Sequence, residues 1–381
     1  MNRISKICFI VAVPGTAKAF LSNHIEALSS RHLIYLVANM LNNSEINIPG
    51  LTSITHVPII RGISIYKDIR ATYLLYKFLK KEKFSAVHSV TPKAGLLTAI
   101  AAYIARVPVR IHIFTGQVWA TKTGFIRRLL MLMDKIIVRL NTDILVDGIS
   151  QRNFLIEKGI LRKNQATVLG SGSISGVDLI KFFPKPEVRD EIRTQLGIQS
   201  DTVVFSFMGR FNTDKGINEL FSAFNSLCEI NTNAFLLLIG VDEEGMLSSL
   251  KNYAHIEPGK NFHFYGHTNS PESVLQSSDV FCFPSYREGF GTSVLEASAL
   301  GIPVICSDTY GVLDAMVDNV TGLRCKTKDV ASLFECMKRL AEDNSLRKKL
   351  GNNGRSRIIE EFSAERITNE WVKLYSNFVK E

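Results

Sequence analysis

Val280-Phe-Cys-Phe-Pro284-Ser-Tyr-Arg-Glu288-Gly289-Phe290-Gly291-Thr292-Ser-Val-Leu-Glu296-Ala-Ser-Ala-Leu300-Gly301-Ile302-Pro-Val-Ile-Cys306-Ser307 is the stretch whose reading decides the fold. Val280 to Phe283 is a short apolar run halted by a proline, the pattern of a strand buried on both faces of a parallel sheet. Glu288 to Gly291 reads as a loop, and Thr292 or Ser293 can cap a helix that runs to Leu300. Gly301 ends that helix, and Ile302 to Cys306 is the next buried strand. Strand, glycine-rich loop, helix and strand in this order make an α/β unit with its loop at a helix N-terminus.

Free backbone N–H groups and the helix dipole make such a loop attractive to phosphate. Glu288 and Glu296 flank it, eight residues apart. A carboxylate pressed against a diphosphate is repelled, so both acids are better used accepting hydrogen bonds from hydroxyls at either end of a phosphate-bearing ligand. Hydroxyl, phosphate and hydroxyl in sequence describe a sugar nucleotide. Glu288-Gly-Phe-Gly, Glu296-Ala and Gly301-Ile-Pro-Val resemble the E-x7-E signature of family 4 glycosyltransferases, retaining enzymes of the GT-B fold. The resemblance implies two Rossmann-like doubly wound domains facing across a cleft. Residues 1–176 would bind the acceptor, residues 177–364 the nucleotide sugar, and a helix over residues 365–381 would cross back to the first domain.

A second signal agrees. Val203–Met208 reads as a buried strand, followed by Gly209-Arg210-Phe-Asn-Thr-Asp-Lys215-Gly216. Arg210 can grip a diphosphate in bidentate fashion while Lys215 supplies a point charge, and the pair matches the family's G-R…K-G motif. Ala234–Gly240 and Asn261–His267 are further strands. In relatives the backbone after the glycine of the latter contacts the base, which implies roles for Gly266 and His267. His263 and His267 share a strand face, but no third ligand has sensible spacing, so no metal is expected.

A chain of 381 residues exceeds the size one core usually serves, so two domains are the default. Hydrophobic content of 46% with 21% charged residues describes a soluble globular protein, which argues against a disordered or membrane-embedded chain. The six cysteines are scattered through mostly apolar runs without a Cys-x-x-Cys pair, and fit buried thiols in a reducing compartment. The net charge of +9 is uneven: residues 1–180 carry 23 Lys and Arg against 9 Asp and Glu, the remainder 22 against 27. A basic first half suits nucleic acid, an anionic membrane surface or a phosphorylated substrate. Arg3, Lys6, Ile7–Val13 and Ala17-Lys-Ala19 imitate a secretory signal, but the apolar run is short and a proline and glycine follow at once, so a strand and turn are the better reading. No run approaches the ~20 apolar residues of a membrane span, and a cytoplasmic location at the inner face of the membrane is expected.

In the first half, Lys6–Val13 is a strand, Pro14-Gly15-Thr16 a turn, Ala19–Ser30 a helix and Leu33–Ala38 a strand. The opening is Rossmann-like without the dinucleotide fingerprint. The resemblance places Gly15 against the donor diphosphate. Ile65–Lys83 is a basic helix and Ala86–Val90 a strand. Thr91-Pro-Lys93-Ala-Gly-Leu-Leu and Val107-Pro-Val-Arg-Ile-His112-Ile-Phe-Thr115-Gly116-Gln117 resemble transferases that extend bacterial surface polysaccharides. Many relatives hold a histidine where this chain has Thr115. His112 is therefore the catalytic candidate, with a satisfied histidine at a strand end as the other reading, and Lys93, Thr115 and Gly116 fall on the acceptor side. Gly124–Leu140 repeats apolar residues at helical spacing with Arg127, Arg128, Lys135 and Arg139 among them. It reads either as a helix docking on anionic lipid or as a core helix with a basic edge. Asp143–Asp147 is a strand and Ser150–Lys158 a helix. Val168 to Asp178 lacks a P-loop ending and reads as cleft lining and hinge. Glu187–Leu196, Asp329–Asp343, Ser345–Phe362 and Thr368–Val379 are helices.

What the resemblance implies is retention by front-face departure. Arg210, Lys215 and the amides of Gly289, Phe290, Gly291 and Thr292 would stabilise the leaving diphosphate beside Gly209, Glu288 would hold sugar hydroxyls, and Glu296 the ribose. No cofactor is expected. The acceptor would be a lipid-diphosphate-linked saccharide of O-antigen or capsule synthesis, with UDP as the family's usual carrier. Two rivals differ in class. A GT-B sugar-nucleotide epimerase needs acid and base carboxylates in the first domain, where no such pair is evident. A nucleic-acid-binding protein needs readout elements, whereas the basic residues here are dispersed through folded elements.

Overall fold

A computed structural model of the chain describes residues 5–41, 47–60, 62–230 and 233–378. It divides into two units, Met1–Gly176 with Ala364–Glu381, and Val177–Ser363. Each unit is a parallel sheet with helices packed on it.

In the first unit the chain runs β1 (Lys6–Ile10), α1 (Pro14–Phe20), α2 (Ser22–Ser29), β2 (Leu33–Ala38), β3 (Leu51–His56), α3 (Ile65–Glu82), β4 (Ala86–Val90), α4 (Pro92–Ile104), β5 (Val109–Phe114), α5 (Gly124–Leu140), β6 (Asp143–Val146), α6 (Ile149–Glu157) and β7 (Thr167–Val168). The sheet order is β3-β2-β1-β4-β5-β6-β7, so the winding reverses between β1 and β4. Two sequence expectations change here. Pro14-Gly15-Thr16 is the first turn of α1 rather than a free turn, because proline at the first helical position has the right φ and needs no N–H partner. The expected helix over Ala19–Ser30 is two helices that meet at Leu21. β3 escaped the sequence reading because its residues are half-buried or exposed, as befits an edge strand. α4 escaped because it is apolar all round and shows no amphipathic period. Its small residues let it lie close on the sheet: a Cβ at Gly95 would stand 2.3 Å from the His112 ring.

The second unit runs α7 (Pro186–Gln195), β8 (Val203–Phe211), α8 (Ile217–Ile230), β9 (Ala234–Asp242), β10 (Phe262–Gly266), α9 (Pro271–Leu275), β11 (Val280–Phe283), α10 (Thr292–Ala299), β12 (Val304–Ser307), α11 (Val312–Ala315), β13 (Gly322–Cys325), α12 (Val330–Glu342) and α13 (Asn344–Glu361). Its order, β10-β9-β8-β11-β12-β13, reverses between β8 and β11. Phe205, Phe207, Phe221, Phe224 and Phe281 fill the core. β8 and β9 run further than the sequence suggested, to Phe211 and Asp242. Gly209 and Gly240 face each other in register, and a Cβ on Gly240 would lie 1.8 Å from the Gly209 carbonyl oxygen. All six cysteines are free.

The last helix, α14 (Ala364–Phe378), belongs to the first unit. It starts four residues before the expected Thr368, and the expected end at Val379 lies outside the described residues. Trp371 is stacked between two buried histidines, His24 at 4.5 Å and His88 at 4.8 Å between ring centres. The Ile174 carbonyl accepts from both Trp371 Nε1 (3.2 Å) and His24 Nε2 (2.8 Å). With Nε2 donating, His24 Nδ1 accepts from the Thr368 hydroxyl at 2.9 Å, so the ring is neutral. Burial pushes His24 down to about 4. The Tyr375 hydroxyl bonds His88 Nδ1 at 2.9 Å. Trp371→Ala removes the centre of this stack and should destabilise the first unit by about 3–5 kcal/mol. Urea denaturation followed by far-UV circular dichroism checks this, and a loss below about 1 kcal/mol would mean that α14 is not held by the stack.

Candidate functional site

In an open parallel sheet ligands bind beyond the carboxyl ends of the strands where the winding reverses. In the second unit that place is the gap between β8 and β11, and three loops meet there. Gly216 ends the turn after β8 with φ 71°, and a Cβ on it would lie 2.2 Å from the Pro284 carbonyl oxygen. Gly311, after β12, has φ 84°, and its Cβ would lie 2.6 Å from the carbonyl oxygens of Glu288 and Gly289. Tyr286 N donates to Asp214 O (2.8 Å), Arg287 Nε to Asp214 Oδ2 (2.8 Å) and Thr309 Oγ1 to Tyr286 O (2.9 Å).

This framework brings Lys215 and Glu288 into a direct, largely buried ion pair, with Lys215 Nζ also 5.1 Å from the Phe283 ring centre. Arg210 is more open. Its guanidinium donates to both Glu243 oxygens at 3.1 and 3.2 Å, and it lies within β8 rather than in a loop after it. Thr292 is the first residue of α10 and does not cap it. The N-cap is Gly291, with φ 88° and no side-chain bond, so the helix start presents backbone only. The Phe290 ring is buried against Phe362, 5.4 Å between centres, which leaves only the backbone of Phe290 for the expected donor contact. Gly289 is buried, and Gly266 ends β10 with φ 78° and open space where a Cβ would be. His267 is exposed beyond the end of β10, so it does not share a strand face with His263. Among the described residues no three His, Cys, Asp or Glu side chains converge as a metal site.

Glu296 lies on α10, half-buried, near Lys181 and Glu272, which pair at 3.3 Å. Burial pushes its carboxyl up to about 7, with Lys181 pulling the other way and Glu272 adding to the rise.

In the first unit the expected catalytic role of His112 is corrected. The ring is fully buried under α4, its Nδ1 is 2.9 Å from Ser89 Oγ, and burial pushes it down to about 3. It is a neutral histidine enclosed in the core, and its Nε2 has no hydrogen-bond partner. Lys93 stands at the start of α4 and is engaged by Asp68 (2.5 Å) and the Gly62 carbonyl (3.1 Å). Thr115 is half-buried and Gly116, with φ 106°, buried beyond the end of β5, while Gly15 is exposed in α1 beyond the end of β1. On α5, Ile137 and Val138 are buried, whereas Phe125, Ile126 and Leu132 are exposed together with Arg128, Lys135 and Arg139. Exposed Ile65, Tyr66, Ile69 and Tyr73 mark α3 in the same way. Among the described residues no helix is long and apolar enough to cross a membrane.

Residues 188–357 match the family model of glycosyl transferases group 1. The capsular polysaccharide biosynthesis glycosyltransferase CapM of Staphylococcus aureus is 35% identical over 329 residues, 86% of each chain. The chain belongs to the group 1 glycosyl transferases. The UDP-Gal:alpha-D-GlcNAc-diphosphoundecaprenol alpha-1,3-galactosyltransferase of Escherichia coli is 27% identical over 322 residues, 84% of this chain and 82% of that one. The fold is GT-B, and the sucrose-phosphate synthase structure from Thermosynechococcus elongatus superposes with a TM-score of 0.82 at 18% identity, covering 98% of both chains.

This group 1 glycosyl transferase holds site residues that the sequence reading passed over. Glu243 and Glu244 follow β9; Glu243 engages Arg210, and Glu244 accepts from Thr213 N and Oγ1 at 2.9 and 2.8 Å. An acidic pair directly after a buried strand was the available signal. Gly311 gave only a lone glycine, and its role needs the loop it touches. For Glu296 the sign of the pH effect follows from its raised carboxyl. The folded state keeps a proton that the unfolded chain releases between 4.5 and about 7, so this stabilisation is complete below 4.5 and lost as pH rises through 7. Glu296→Gln should therefore gain stability relative to the parent between pH 5 and pH 8. Equal shifts of the urea midpoint at the two pH values would refute it.

Proposed function

We propose that this glycosyl transferase moves a sugar, with retention of anomeric configuration and without a metal, from a UDP-sugar to a lipid-diphosphate-linked saccharide in bacterial surface polysaccharide synthesis. The observation that carries the reading is the Lys215–Glu288 pair at the winding reversal, beside a helix start that no side chain caps. One group suits a departing diphosphate and the other a sugar hydroxyl. The names of the S. aureus and E. coli relatives support the pathway, the donor carrier and the lipid-diphosphate acceptor.

In this reading the bond between the anomeric carbon and the diphosphate oxygen breaks. The acceptor oxygen bonds to the same face of that carbon, and the acceptor proton passes to the leaving phosphate. Lys215, Arg210 and the amides at Gly291 and Thr292 meet negative charge as it grows, which requires the ligand to draw Lys215 from Glu288 and Arg210 from Glu243. Glu288 then faces the sugar hydroxyls and Glu296 the ribose. Gly209, Gly266, His267 and Gly15 would adjoin the donor through backbone or an exposed side chain, and Thr115, Gly116 and Lys93 the acceptor. The experiment is a panel of sugar nucleotides with synthetic prenyl-diphosphate-linked saccharides, the product anomer assigned by NMR. Lys215→Ala and Glu288→Ala should each lower kcat by about 10²–10³-fold, and EDTA should leave the rate unchanged. Full activity in either variant, an inverted anomer or loss of activity in EDTA would each count against the reading.

The exposed apolar and basic residues of α5 and α3 support docking of the first unit on an anionic membrane surface. Each basic residue near such a surface contributes roughly 1 kcal/mol. Replacing Arg128, Lys135 and Arg139 together by Glu should therefore weaken binding to phosphatidylglycerol vesicles by at least about a hundredfold. Unchanged sedimentation with those vesicles would remove α5 from the docking surface.

A further inference from the structure

Thr213, Asp214 and Lys215 form a single helical turn after β8, too short to fix its own place by backbone bonds. Each of its residues is held from outside. Thr213 N and Oγ1 donate to Glu244, Asp214 Oδ2 accepts from Arg287 Nε at 2.8 Å, and Lys215 pairs with Glu288. The Asp214 carbonyl also accepts from Tyr286 N at 2.8 Å. Two adjacent residues of the turn thus meet two adjacent residues of the loop after β11, and both ion pairs join positions 73 apart along the chain.

The order of charge in the two segments is opposite. Asp214-Lys215 runs negative then positive, and Arg287-Glu288 positive then negative. A slip of one residue would set Asp214 against Glu288 or Lys215 against Arg287, which like charge disfavours. The alternation therefore fixes the register of the two loops as well as their approach. The Asp214–Arg287 pair is also sheltered: 26% and 24% of the side chains are exposed, against 55% for Arg210 in its pair with Glu243. Solvent and salt screen it correspondingly less. The function proposed above requires the substrate to draw Lys215 away from Glu288. At that moment the attraction between those two groups no longer aligns the loops, while the bonds of Asp214 with Tyr286 and Arg287 still do.

We propose that Asp214 and Arg287 are positioning residues of sugar transfer, their ion pair keeping the turn that carries Lys215 in register with the loop that carries Glu288 while the substrate separates those two groups. That the register serves transfer rests on the function proposed above; the hold on Lys215 does not.

The test uses the full chain and the variants Asp214→Asn, Arg287→Gln, Arg287→Lys and the double Asp214→Asn/Arg287→Gln. Transfer from a UDP-sugar to a prenyl-diphosphate-linked saccharide is read as kcat and KM. Acetylation of Lys215 by N-hydroxysuccinimidyl acetate, measured by mass spectrometry against the exposed Lys328 and Lys348, reads its freedom without any substrate. Asp214→Asn and Arg287→Gln should each lower kcat by about 10–100-fold with KM for the donor little changed, since a group misplaced by about an ångström costs rate more than binding. The double variant should lose no more than the worse single one, because the same interaction is removed either way. Arg287→Lys, which keeps the charge, should recover part of the loss. Lys215 should be acetylated about fivefold faster in Asp214→Asn and Arg287→Gln, the change that an ordinary ion pair makes in a local opening. If Asp214→Asn does not fold, Arg287→Gln and Arg287→Lys carry the comparison. A lower urea midpoint with kcat unchanged would assign the pair to stability alone and overturn the proposal. So would single losses that multiply in the double variant, or acetylation no faster than in the parent. A parent that transfers no sugar would defeat the function proposed above, and the acetylation rates would then decide the hold on Lys215 by themselves.

Discussion

The close approach of three loops at the winding reversal of the second unit is the constraint on which its chemistry depends. Gly216 lies against the Pro284 carbonyl and Gly311 against the carbonyls of Glu288 and Gly289, at distances that leave no room for a side chain. Both glycines sit at positive φ, so shape and backbone conformation exclude other residues together. What they secure is the meeting of Lys215 with Glu288. A cation and a carboxylate drawn from loops 73 positions apart share one small space because the backbones beneath them touch.

Both cations of the site are held by carboxylates, Lys215 by Glu288 and Arg210 by Glu243. The two pairs differ in environment. The exposed Arg210 pair is worth little in water and exchanges readily. The sheltered Lys215 pair has given up more hydration, so breaking it without replacement is costly. In the function proposed above, a ligand carrying both phosphate and hydroxyl groups would replace both partners at once, whereas free phosphate or free sugar would replace only one.

The first unit solves a different problem, burying imidazole without charge. His24, His88 and His112 sit in its interior, each pushed down by burial. His24 and His88 sandwich Trp371 and so fasten α14, which returns to this unit after the chain has built the other. His112 lies beneath Gly95 and supports the start of α4. Its neutrality follows from this packing and serves structure.

By itself the sequence determined the α/β class, most strands, and the glycines and charged residues around Glu288 and Lys215, because apolar runs, glycine and proline act locally. It left β3 and α4 unread, the one being a half-exposed edge and the other apolar on every side. Only the tertiary structure decided which charges meet. It turned Phe290 inward onto Phe362, buried His112, and gave Arg210 to Glu243. It also left Asp147 Oδ1 buried without a hydrogen-bond partner just beyond the end of β6. Burial and pairing are properties of neighbours distant along the chain, and desolvation, which sets whether a carboxyl or imidazole carries charge, exists only once those neighbours have packed.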